Sequence, residues 1–484
     1  MPSCMFARKP DDDILSCRLL LQTRPGEYTG SNIGKKMRWI LLKYGLYDRP
    51  PVGTSILAAL QWMIVAVSSS VAVPLMIGDV YGLQVDEIGN LMQQTMFFIG
   101  LASFLQVWIG HRYPMLEGPA GLWWGIFIIL AQLGSSAGLH PREIGQSFQV
   151  GMAMAGLLFL LFGMMGWIGK LQRWFTPLVS GTYMILLAIS LCSNILTGML
   201  GIGFQHSKEV QPGVALVSIG IVALVIWIMR TKRFSSFAVL FGMVGGWVLY
   251  AILGWTEPVR PAEQLIAWPS FFFWGAPRWD WGVVLTSMLT GFVLLTNLVT
   301  STVVMGKATE TEPTEKQYNR GGVFTGVSHL LSGLSGVVGM IPLSLAAAVI
   351  QTTRMASRLP FMIAMIGMML IGLFPLVAHF LAALPTPVAY AAMFISYTQL
   401  LGFGLKDYVT VKMDERTITV GGSSLLIGIG VMFVPATAWQ HLPPLASFLF
   451  GNGLLLGVLV CLLLEHVIFR QPEVAKKQKD DHAA

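Results

Sequence analysis

Charge is what this 484-residue chain has least of: Asp, Glu, Lys and Arg together make up 11% of it, against 54% hydrophobic residues. With a mean hydropathy of +0.67, that scarcity excludes a soluble protein of this length and leaves a polytopic membrane protein. Cysteine is nearly absent too. The four present, Cys4, Cys17, Cys192 and Cys461, have no metal-like spacing and imply neither a disulfide framework nor a zinc site. The eight histidines are dispersed, none paired with another at ligand spacing. No P-loop and no GxGxxG occurs, so neither ATP-driven transport nor a dinucleotide is supported, and no cofactor is expected. His, Asp and Ser do not cluster at one end of the apolar segments, which argues against a polytopic membrane enzyme.

What is present is a succession of apolar runs from residue 55 to residue 469. Most are long enough to cross a hydrocarbon core about 30 Å thick, which takes roughly 17–25 residues. Up to fourteen such segments are expected, the third (117–135) and tenth (341–352) irregular and the tenth too short for a plain spanning helix. The net charge of +7 comes from Lys and Arg spread through the loops, not gathered on a face that would fit nucleic acid. With the N-terminus inside, the inner loops hold Arg112, Lys170, Arg173, Arg230, Lys232, Arg233, Lys307, Lys316, Arg320, Arg354, Arg358, Lys406, Lys412 and Arg416. The outer loops hold only Arg142, Lys208, Arg260 and Arg278. This positive-inside bias predicts a cytoplasmic-membrane protein with both termini cytoplasmic. Residues 1–50 read as a polar cytoplasmic extension without the order of a signal peptide. Residues 51–306 hold segments 1 to 8, residues 307–470 segments 9 to 14, and residues 471–484 a charged tail.

Within the third segment, Pro114-Met-Leu-Glu-Gly-Pro-Ala-Gly-Leu-Trp-Trp-Gly125 sets one carboxylate, Glu117, among Gly118, Pro119 and Gly121. A carboxylate at membrane depth costs roughly 2.5–3.5 kcal/mol on insertion scales, and freed backbone groups add several more. Such a stretch belongs where protein or water encloses it. A second interrupted stretch, residues 339–351, lies in the other half. Each follows an amide-bearing apolar span by some fifty residues: Gln61 with Ser68, Ser69 and Ser70, then Asn297 with Thr300, Ser301 and Thr302. Seven spans per half is odd, so the second copy is inverted. Inverted repeats with paired broken segments point to a midplane site in secondary transporters.

These residues resemble the nucleobase-ascorbate transporters, the family of uracil, xanthine and uric acid permeases. Gln61-Trp62 stands at the family's Gln-His dipeptide, with Val73-Pro74 at the expected distance. The Glu117 stretch sits at the family's third-segment strand, and residues 325–358 look like its ninth and tenth segments, ending in Thr353-Arg354. The resemblance covers roughly residues 52–470 and is nearest to a subgroup of purine permeases. It implies an all-α polytopic fold of 14 segments as a 7+7 inverted repeat, short strands in segments 3 and 10, core and gate domains, and often a homodimer. Substrate would lie between the strands and segment 8. By position, Asn297 and Leu345 fall where the family carries its two binding glutamates, Ala346 and Ala348 at the signature's Asn and Gly, and Trp62 where it has a histidine.

The expected substrate is therefore a purine-type base such as xanthine or uric acid, transported with a coupling ion, a proton; membrane lipid and a second copy of the chain are the other expected partners, and nucleic acid is not. Alternatives are a uracil permease or a sulfate-permease-type anion transporter of the same architecture. The latter would favour a basic residue where Leu345 stands and a large C-terminal domain. Candidate substrate contacts are Gln61, Glu117, Gly121, Trp123, Asn297, Thr300, Leu343, Ser344 and Leu345. Carboxylates read adjacent N–H groups well, whereas amides donate and accept without charge. Glu117 is thus the candidate for the missing acids or for the proton carrier. Blander roles compete: Glu117 as a helix cap or partner of Arg112, Gln61 and Asn297 as interhelical hydrogen-bond glue, and Trp123 as an interfacial aromatic.

Overall fold

The computed structural model describes residues 42–470 apart from 137–139, 172–173, 175, 232–237, 257–263, 440, 443–445 and 447–449. Most of the expected N-terminal extension and the whole of the 471–484 tail lie outside the described residues. From Tyr44 onward the chain forms one compact unit, almost wholly helical.

The first half runs α1 (Val52–Ser70), α2 (Ala72–Tyr81), α3 (Val85–Trp108), β1 (Glu117–Pro119), α4 (Gly121–Ser136), α5 (Pro141–Met164), α6 (Pro177–Met199), α7 (Pro212–Met229) and α8 (Ala238–Ile252). The second runs α9 (Trp281–Ala308), α10 (Glu315–Ser335), β2 (Met340–Pro342), α11 (Leu345–Thr353), α12 (Arg358–Ile371), α13 (Pro375–Ala382), α14 (Thr386–Thr410), α15 (Glu415–Met432) and α16 (Gly453–Leu463). The order of helical segment, helix, strand, short helix thus recurs in each half. Both irregular segments resolve into a strand followed by a helix, because Gly118 and Pro119 in one, Pro342 in the other, stop the helix from running through.

Six described helical spans are long and apolar enough to cross a membrane, α1 and α2 together making one of them, with α3, α5, α6, α7 and α9. Elsewhere proline shapes the path: the expected single segment 360–383 is α12 and α13, bent by 84° where Pro375 opens the second helix. Two packing groups emerge. In one, α3, α9 and α10 pack against the strand pair, with α5 on α9 and α10 and with α12 and α13 on α3. In the other, α6, α7, α8, α14, α15 and α16 pack on one another. Contacts of α2 with α14 and of α4 with α6 join them.

Small residues set the closest approach. A Cβ on Gly326 of α10 would lie 2.7 Å from the Gly156 carbonyl oxygen and Leu160 nitrogen of α5, and one on Gly156 would lie 2.8 Å from the Gly326 carbonyl oxygen. Gly163 and Gly333 repeat the arrangement one heptad away on each helix, a small-residue seam of the kind that drives helix association in lipid. Replacing Gly156 with Val should therefore cost about 1–3 kcal/mol by overpacking, whereas Gly422→Ala, with nothing within 4 Å, should be near neutral. Thermal unfolding of the two variants in detergent checks this; equal midpoints would refute the seam.

Candidate substrate site between the broken segments

β1 and β2 pair antiparallel, with Glu117 opposite Pro342, Gly118 opposite Ile341 and Pro119 opposite Met340. Beyond the strands, the Leu343 N–H donates to the Leu116 carbonyl at 2.8 Å and the Ala120 N–H to the Gly339 carbonyl at 3.1 Å. Each broken segment therefore supplies partners for backbone groups that the other exposes. Prolines at Pro119 and Pro342 bring no N–H, so side chains complete the pattern. Ser103 of α3 accepts from the Glu117 N–H at 2.8 Å. On the other strand, Asn297 Nδ2 of α9 donates to the Pro342 carbonyl at 3.2 Å. The Ser301 hydroxyl lies 3.1 Å from the same carbonyl and 3.3 Å from Asn297 Oδ1, and its single proton can serve only one of them at a time.

Helices α4 and α11 begin directly after the strands, so a helix N-terminus with its positive dipole end lies at each end of the strand pair. Of the expected contacts, Gln61, Gly121, Asn297, Leu343 and Ser344 are partly accessible and Thr300 is exposed. Helix α1, which carries Gln61, packs against β1, and α9 packs against β2 and α11. Leu345 opens α11, but its side chain is not among those described. Asn297 and Ser301, both at the Pro342 carbonyl, set uncharged amide and hydroxyl groups beside the strand pair.

Glu117 and Trp123 are placed differently. Both are fully buried. Glu117 Oε1 lies 3.2 Å from His111 Nε2; its side-chain partner is this histidine, not Arg112. Trp123 Nε1 donates to His329 Nε2 of α10 at 2.7 Å and meets the Phe148 ring edge-on at 5.5 Å, so its indole packs between α5 and α10. His329 Nδ1 in turn donates to the Thr325 carbonyl at 2.8 Å. Sequence reading passed over His111, Ser103 and His329, and named Ser301 only as a hydroxyl accompanying Asn297. Only His111 had a usable signal, standing six residues before the buried carboxylate in a loop too short to carry it away. No group of three or more His, Cys, Asp or Glu converges on a metal position among the described residues.

Comparison with known proteins decides the family. A family model described as "Permease family" (Xan_ur_permease) matches residues 53–437. The chain belongs to this permease family. Among its relatives, "Putative purine permease YwdJ" of Bacillus subtilis is 33% identical over 88% of this chain and 98% of its own length. Uric acid permease PucK of Bacillus subtilis is 27% identical over 86% of this chain and 96% of its own; others are named xanthine permeases. The transmembrane domain of a cyanobacterium bicarbonate transporter, BicA, superposes with a TM-score of 0.58 at 17% identity, covering 87% of this chain and 98% of that one. At that identity the likeness concerns the fold, the 7+7 inverted repeat. This family member is therefore an integral membrane transporter, not an enzyme.

The shared carbonyl of Pro342 makes a stability test. Either Asn297→Ala or Ser301→Ala leaves one donor on it and should cost about 1 kcal/mol, whereas the double variant orphans a buried carbonyl and should cost more than the sum by at least about 1 kcal/mol. Thermal unfolding of the four proteins measures the coupling; strict additivity would show that the two side chains do not share this acceptor.

Proposed function

We propose that the chain is a secondary active transporter of purine-type nucleobases such as xanthine or uric acid, coupled to protons. The observation that carries this reading is the antiparallel meeting of two broken segments beside α9, in a chain whose relatives bear the names of purine, uric acid and xanthine permeases. The base lies against the strands. With Asn297 Nδ2 committed to Pro342, its Oδ1 accepts from a ring N–H, while N–H groups at the start of α4 and α11 and the Ser344 hydroxyl donate to ring carbonyls. Gln61 closes the opposite side. Leu343 and Gly121 give apolar surface to the ring face.

Glu117 takes the coupling proton in this reading, since it is the buried carboxyl on the strand that the substrate touches. The chain crosses the cytoplasmic membrane fourteen times with both termini cytoplasmic, as the Lys and Arg distribution favours. The group around the strands acts as the core, and the group built on α6 and α14 as the gate against which it rocks. A homodimer is the expected assembly.

The test is a thermal-shift screen of purified protein with purines, pyrimidines, sulfate and bicarbonate. A true substrate at 100 times its Kd should stabilise by about 2.7 kcal/mol; xanthine or uric acid should do so and the anions should not. Stabilisation by an inorganic anion with none by any base would replace this reading with anion transport. In proteoliposomes, Glu117→Gln should abolish the pH dependence of uptake, and an unchanged pH profile would remove Glu117 from the coupling step.

A further inference from the structure

The two oxygens of the Glu117 carboxyl are not equivalent, and the difference carries an inference that rests on the reading of Glu117 as the coupling group. Oε1 faces His111 Nε2 at 3.2 Å. Which atom donates is fixed from the far side of the imidazole. There the Tyr113 backbone N–H points at His111 Nδ1 at 3.0 Å, and an N–H is received only by a ring nitrogen without a proton. The neutral ring therefore carries its proton on Nε2 and donates it to Oε1.

The backbone of His111 is pinned as firmly as its ring. Its N–H donates to Gln106 Oε1 at 3.3 Å, and its carbonyl accepts from Gln317 Nε2 at 3.0 Å. Gln106 Nε2 is itself tied to the Gly321 carbonyl and Thr325 hydroxyl of α10, at 2.9 Å each. Turning the imidazole over would remove the acceptor that the Tyr113 N–H uses. Oε2 of Glu117, by contrast, is buried and has no hydrogen-bond partner.

The surroundings contain few other charges. Arg358 of α12 acts on the His111 ring, with Arg112 and Tyr47 beside that guanidinium. Tyr113 stacks on the imidazole at 6.1 Å, and Tyr318 of α10 neighbours Tyr113. The groups that α3, α9 and β2 place about Glu117 and His111 are uncharged: Ser103, Gln106, Asn297, Ser301 and the Pro342 carbonyl.

We propose that His111 is the positioning residue of the coupling carboxyl, a fixed Nε2–H donor to Oε1 that leaves Oε2 as the one atom where the coupling proton binds and leaves. On loading, an O–H bond forms at Oε2 with a proton delivered from water. On release the same bond breaks, its electron pair stays on Oε2, and the proton returns to water. His111 neither gains nor loses a proton in the cycle. The carboxyl can thus change charge without changing its place on β1, and the strand keeps its shape for the base in both states.

The test compares His111→Gln, whose amide N–H can replace the Nε2 donor, with His111→Leu, which removes it, in the full chain reconstituted in liposomes. Xanthine and uric acid uptake is followed against pH, and base binding by thermal shift. His111→Gln should keep the wild-type pH midpoint. His111→Leu should move it to higher pH by about one unit or more, since a hydrogen bond to a charged group is lost. A His111→Leu protein that still binds base and keeps the wild-type midpoint would overturn the assignment. So would a His111→Gln protein as displaced as the Leu variant. Should His111→Leu fail to fold, infrared difference spectra of wild type and Glu117→Gln decide instead: the protonated Glu117 band should have the lowered C=O frequency of a hydrogen-bonded Oε1, and a free-carbonyl frequency would contradict the proposal. A pH profile untouched by Glu117→Gln defeats the coupling reading itself, a separate outcome from these.

Discussion

A peptide group released from a helix inside an apolar assembly must find another partner or forfeit several kcal/mol, and this requirement organises the centre of the molecule. Gly118, Pro119 and Pro342 each interrupt a helix, and neither broken segment can satisfy itself alone. Their antiparallel pairing, with the Leu343 to Leu116 and Ala120 to Gly339 bonds at its ends, lets each cancel the other's deficit. Residual deficits at the proline positions are met by Ser103, Asn297 and Ser301. The close approach of α5 and α10 at their glycines lies in the same packing group, so the seam and the strands hold one another in place.

That constraint also explains how polar groups come to be concentrated where a substrate can meet them. Irregular backbone is tolerated at depth only where protein or water surrounds it, and two helices must start afresh after the strands. Asn297, held to the Pro342 carbonyl, is a partly accessible amide beside the strand pair. The Glu117 carboxyl is fully buried on β1. In the proposed mechanism recognition and charge are separated: uncharged amides read the hydrogen-bond pattern of the base, and the carboxyl held by His111 carries the proton.

Much of this was legible in the sequence, for a physical reason. Glycine and proline in an apolar run are strong signals because few backbones accommodate them, and both irregular segments, 117–135 and 341–352, became strand plus helix. The bend at Pro375 was missed, although the residue was visible, because apolarity alone does not say whether a proline opens a new helix or merely kinks an old one. Side-chain partners were harder. Glu117 had a charged neighbour in sequence, Arg112, but Arg112 has a left-handed backbone (φ 63°) and is exposed, while His111 turns inward to the carboxylate. Trp123 is adjacent to the strand in sequence, yet its indole is bound to His329, more than two hundred residues away. Distances of that kind depend on how α5 and α10 cross, which local pattern does not encode.

The central claim is that the paired broken segments are where a purine base is held. The most direct measurement is a structure of the protein determined with xanthine or uric acid bound. The account predicts density for a planar base beside β1 and β2, within hydrogen-bonding distance of Asn297 Oδ1 and the start of α11. A base bound away from the strand pair, or an inorganic anion occupying that place in its stead, would contradict it.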